Sequence, residues 1–144
     1  MQSNETCDVA PSQWNTLEAS AQSAAQAAYA PYSKYHVGAA LLTENENVYT
    51  GCNVENASYG LTMCAERTAV FKAVTDGQTK FKALVIAGGT DSAPAFPCGA
   101  CLQVLSEFCT PAFPIRCIPL SSGKCANAHT YTLGELMPNM FKLA

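Results

Sequence analysis

The run FKALVIAGG, residues 81–89, constrains this chain more than any other stretch. Apart from Lys82 it is continuously apolar, and a strand with no polar face has to be covered on both sides. The neighbouring segments supply the cover. CAERTAVFKAVTDG reads as a helix stopped at Gly77, and CGACLQVLSEFC repeats apolar residues at helical spacing through Leu102, Leu105 and Phe108. Each of these helices opens on a cysteine.

The rest of the chain extends the same plan. Trp14, Leu17, Ala21, Ala24 and Ala28 recur at helical spacing after the candidate cap Ser12, and Pro31 is expected to close that helix. YHVGAALLT and NVYTGCNVEN flank ENEN, which predicts a β-hairpin. PIRCIPL and AHTYTL predict two more strands, and LGELMPNMF a short helix interrupted at Pro138. Helices alternating with buried strands make this an α/β fold, a sheet sandwiched between helical layers. With no internal repeat, low-complexity tract or linker, residues 1–144 are expected to form one domain, residues 1–12 being a flexible lead.

Charge narrows the functional classes. The eight Lys and Arg residues are scattered and the net charge is -3, so no basic stripe exists to track a phosphate backbone, and nucleic acid is not the expected partner. No apolar run approaches the ~18 residues of a membrane span, and the first residues lack the pattern of a secretory signal, so a cytoplasmic protein is expected. Only 13% of residues are charged, against about 25% in ordinary domains. A surface so poor in charge points to subunit interfaces.

Cysteine placement carries the chemistry. A chain of 144 residues buries roughly 68–70% of its unfolded surface and does not depend on cross-links, so Cys7, Cys52, Cys109, Cys117 and Cys125 are expected to be reduced. Cys98 and Cys101, in PCGAC, stand at a helix start, where N–H groups and the helix dipole favour thiolates. Taken alone they fit a redox pair, half of a structural zinc site or most of a catalytic one. Cys64 occupies the equivalent place on the other helix, and three thiolates leave tetrahedral zinc one ligand short, as an open catalytic site requires. Glu66 is placed to move protons beside such a metal without binding it, provided Cys64 sits at the helix edge. Arg67, three residues after Cys64, is the candidate to offset the thiolate charge.

CAERTA together with PCGAC resembles the zinc-dependent cytidine deaminase family, in its small homotetrameric branch. AYAPYSKYHVGAAL, GCNVENASYGLTMCAERTAVFKAV and LMPNMF extend the resemblance from about Ala28 to Phe141. It implies a three-layer α/β/α sandwich with a mixed central sheet and one zinc per chain on Cys64, Cys98 and Cys101. It implies hydrolytic deamination of cytidine and 2′-deoxycytidine in pyrimidine salvage, through zinc-activated hydroxide with Glu66 as proton shuttle. By the same resemblance Asn53 and Glu55 bind the ribose and Tyr35 forms a wall against the base. Ala65, Ala57, Tyr59 and Phe141 are further substrate-binding positions, some reaching a neighbouring subunit of a homotetramer. Leu102 departs from the family, where Arg often follows the last zinc cysteine. Glu55, in a pocket without clustered Lys or Arg, argues for a nucleoside over a nucleotide. Deamination of another aminopyrimidine nucleoside and dithiol redox chemistry are the alternatives.

Overall fold

Alternation along the strands divides the apolar residues between two cores. The structure, a computed structural model, describes residues 9–120 and 128–143. Its elements are α1 (Pro11–Ala25), β1 (Gly38–Thr43), β2 (Val48–Cys52), α2 (Ala65–Thr75), β3 (Phe81–Ala87), α3 (Gly99–Phe108), β4 (Pro114–Ile118), β5 (His129–Thr132) and α4 (Leu133–Leu136), with a 3₁₀ turn at Tyr59–Leu61. The sheet runs β2-β1-β3-β4-β5; β3 and β4 are parallel and the other pairs antiparallel. The one parallel pair needs a long crossover, and α3 lies within it.

One face of the sheet presents Ala40, Leu42, Ala83, Val85 and Ala87 to Trp14, Leu17 and Ala21 of α1. The opposite face presents Leu41, Leu84, Ile86 and Ile115 to Ala69, Val70 and Ala73 of α2 and to Leu102 and Leu105 of α3. This is the expected three-layer α/β/α sandwich with a mixed sheet. The continuous run of β3 lies between the two cores, which is why neither of its faces is polar.

Two boundaries differ from the sequence reading. Helix α1 starts at Pro11 with Ala10 as its cap, not at Ser12, because proline is preset for the first helical position and the Gln13 side chain accepts the Ala10 N–H at 2.9 Å. Val9 is buried, so packing begins inside the expected lead; residues 1–8, with Cys7, lie outside the described residues, as does Cys125. At its other end α1 stops at Ala25, well before Pro31. The Tyr29 N–H donates to the Asn53 carbonyl at 3.0 Å and the Glu55 N–H to the Tyr29 carbonyl at 2.8 Å, so the chain pairs with the extension of β2 and cannot stay helical through Ala28.

Arg116 ties the α1 layer to the sheet. Its guanidinium lies 4.0 Å from the Trp14 ring, pairs with Glu18 at 2.8 Å and donates to Thr130 Oγ1 at 2.8 Å. The layers also meet without side chains between them at Gly38, where an added Cβ would lie 1.9 Å from the Ala21 carbonyl oxygen and 2.5 Å from the Ala25 nitrogen. Helix backbone cannot yield locally as a flexible side chain can. Gly38→Ala is therefore expected to lower stability by about 1–3 kcal/mol, the usual range for overpacking. The check is the urea midpoint at fixed protein concentration, and an unchanged midpoint would refute the close approach.

Candidate active site

Two helix starts converge on one cavity. Cys64 is the cap residue of α2 and Cys98 that of α3, both with extended backbone, and Cys101 follows in the first turn of α3. The three Sγ atoms lie within 4.8 Å of one another, with Cys64 and Cys98 at 3.8 Å. Two sulfurs held at ~2.3 Å by a tetrahedral zinc are ~3.8 Å apart, so spacing and donor type both fit that metal. Among the described residues these are the only three His, Cys, Asp or Glu side chains grouped closely enough to hold an ion.

The capping position of Cys64 also settles where Glu66 goes. On an ideal helix the two would point roughly 200° apart, but Cys64 lies off the helix end and both line the same cavity of about 290 Å³. Glu66 is 4% exposed. Burial, and then the nearby Cys64 charge, raise its carboxyl from 4.5 to about 7. The height of this helix start is fixed by Gly51 of β2, where an added Cβ would be 2.4 Å from the Ala65 carbonyl oxygen. Among the described residues, a more open hollow of about 590 Å³ on α2, lined by Tyr49, Phe71 and Lys72, offers no metal-binding cluster.

Arg67 reaches the thiols as its spacing suggested. Its Nη2 donates to Cys64 Sγ at 3.4 Å, while its buried Nε has no partner among the described residues. The Cys64 thiol is lowered to about 5, chiefly because Cys101 donates to it, with Arg67 and Cys98 adding to the effect. The same contact, together with burial, pushes the Cys101 thiol up. The remote cysteines behave differently: burial drives Cys109 and Cys117 to about 12, as inert core residues. Leu102, where the family often has Arg, is 8% exposed and packs in the core beneath α3.

The structure places the remaining candidates unequally. Tyr35, Asn53 and Ala65 line the cavity with Cys64 and Cys98. Glu55 and Tyr59 line a smaller adjoining cavity of about 210 Å³, and Thr62 belongs to the walls of both. Ala57 is exposed, and Phe141 is 64% exposed; neither lines the cavity of its own chain. Sequence reasoning missed Phe96, an exposed ring that lines the cavity beside Cys98 and stands edge-on to Tyr131 at 5.4 Å. Its position just before PCGAC was the available signal.

A layered α/β fold carrying three convergent thiols and a buried carboxyl beside them defines a zinc-dependent hydrolytic enzyme. The family model described as "Cytidine and deoxycytidylate deaminase zinc-binding region" matches residues 11–117. A protein named cytidine deaminase from Sporosarcina psychrophila is 46% identical over 125 residues, which cover 87% of this chain and 88% of that one. The crystal structure of cytidine deaminase from Burkholderia pseudomallei superposes with a TM-score of 0.80 at 42% identity, covering 88% of this chain and 97% of that one. That from Mycobacterium tuberculosis gives 0.75 at 40% identity, covering 90% and 98%. The chain belongs to the zinc-dependent cytidine deaminase family.

Proposed function

We propose that this chain hydrolyses the exocyclic amino group of cytidine and 2′-deoxycytidine, releasing ammonia and uridine or 2′-deoxyuridine, as a cytoplasmic enzyme of pyrimidine salvage. The observation that carries the reading is the buried Glu66 carboxyl, which shares one cavity with the Cys64 and Cys98 thiols and the Tyr35 ring. Cys64, Cys98 and Cys101 would hold zinc, which would supply polarisation of the attacking water. Glu66 takes one proton of that water and gives it to the pyrimidine N3, then takes the second from the new C4 hydroxyl and gives it to the departing amine. A carboxyl titrating near 7 serves as acceptor and then as donor.

The other residues bind and orient. Tyr35 faces the base, Ala65 lines the cavity beside it, and Asn53 and Glu55 take the sugar hydroxyls. Arg67 offsets the negative charge of the thiolates. Phe141, Ala57 and Tyr59 complete a neighbouring subunit's site in a homotetramer; the 64% and 80% exposure of Phe141 and Tyr59 supports that reading. Among the described residues no helix is long and apolar enough to cross a membrane. Residues 1–144 act as one catalytic domain.

The test is ultraviolet-monitored hydrolysis by metal-analysed protein, with cytidine, 2′-deoxycytidine and cytidine 5′-monophosphate side by side. Both nucleosides are expected to be turned over. The monophosphate is expected to be poorer by roughly tenfold or more, because neither cavity has Lys or Arg in its wall and Glu55 repels a phosphate. Protein with one zinc per chain that leaves both nucleosides intact would rule out the substrate assignment.

A further inference from the structure

The segment that carries Tyr35 into the cavity is held in place by two side chains of the strand extension beside it. Glu55 Oε1 accepts the N–H groups of Tyr32 and Ser33 at 3.0 and 3.1 Å, and its Oε2 accepts the Ser33 hydroxyl at 2.5 Å. That hydroxyl oxygen in turn accepts the Tyr35 N–H at 3.0 Å. At the far end Asn53 Oδ1 accepts the Val37 N–H at 2.9 Å, and Asn53 Nδ2 donates to the Tyr35 carbonyl at 2.7 Å. Between these anchors Lys34 has φ 61°, a left-handed conformation that a non-glycine residue keeps only where its surroundings impose it.

This wiring leaves little free capacity. An ionised carboxylate offers about four acceptor positions and three are filled here; an amide nitrogen carries two N–H groups and one is filled. What remains is one acceptor position on Glu55, and one donor and one acceptor position on Asn53, enough for a sugar hydroxyl that gives to either residue or accepts from Asn53. The sugar can therefore bind without dismantling the turn, and whatever tightens Glu55 also tightens the backbone that presents Tyr35.

We propose that Ser33 is a positioning residue for the deamination reaction: its hydroxyl links the Glu55 carboxylate, on the sugar side, to the backbone of Tyr35, on the base side. Sugar recognition and placement of the aromatic wall are then a single event. The inference rests on the reading of Glu55 as a sugar contact and of Tyr35 as a base contact. It adds a residue that neither contact by itself would reveal.

The experiment uses the full-length, zinc-loaded enzyme with cytidine. Ser33→Ala is expected to raise KM roughly tenfold, the loss of one charge-assisted hydrogen bond, with kcat changed far less; Ser33→Thr, which keeps the hydroxyl, restores KM. The decisive readout is a double-mutant cycle in kcat/KM between Glu55→Gln and Tyr35→Leu. With Ser33 present the two effects are expected to be non-additive by roughly fivefold or more, and in the Ser33→Ala background additive within about twofold. Additivity in both backgrounds, or unchanged KM in Ser33→Ala, would overturn the proposal. So would a Ser33→Ala chain that is unfolded or zinc-free, since Ser33 would then serve stability alone. Failure of the underlying functional reading shows itself separately, as zinc-loaded wild type inert toward cytidine.

Discussion

Glu66→Gln is expected to lower kcat for cytidine by at least the ~10²–10⁴-fold that general acid–base catalysis contributes, with zinc retained at one per chain. Glutamine keeps the shape of the side chain and fits the same buried place, but it can neither accept the proton of water nor pass one to a leaving amine. The loss falls on kcat more than KM because proton transfer belongs to the transition state. In wild type the base must be ionised to begin, so kcat/KM is expected to fall as pH drops below about 7, where burial has placed this carboxyl. A variant with near wild-type turnover would remove Glu66 from the mechanism. One that lost its zinc together with its activity would make Glu66 a support for the metal site.

Cys64→Ala is expected to abolish zinc retention and lower turnover by about 10³-fold or more, since metal polarisation is worth several kcal/mol and each ~1.4 kcal/mol is tenfold in rate. Chelation of wild type should have the same result, and added zinc should restore wild type, without an unfolding step, but not the variant. These outcomes separate hydrolysis from dithiol chemistry. A redox pair of Cys98 and Cys101 would ignore both the chelator and the loss of Cys64. Metal analysis, turnover and far-ultraviolet circular dichroism on the same samples decide between them.

Much of this arrangement is legible in the sequence, because the informative signals are local. A strand as apolar as Phe81–Ala87 has one environment open to it, and cysteines at two helix starts have few reasons to be there. The boundaries of α1 were less legible, since they depend on partners distant in sequence: Tyr29 leaves the helix to pair with Asn53 and Glu55. The 3₁₀ turn at Tyr59–Leu61 carries no periodic signal at three residues. Phe96 is flagged in the sequence only by its position just before PCGAC, and a lone aromatic there reads equally as a core residue. The resemblance gives Asn53 and Glu55 to a ligand, and nothing in GCNVEN reveals that the backbone of residues 32–37 already engages them.

The core beneath α2 and α3 is built from Ala69, Val70, Ala73, Leu102 and Leu105 against the sheet, and of the three zinc cysteines only Cys101 is fully buried. Cys98, moreover, is exposed. The metal-free protein is therefore expected to keep its fold, and zinc to enter from the side on which Cys98 is exposed.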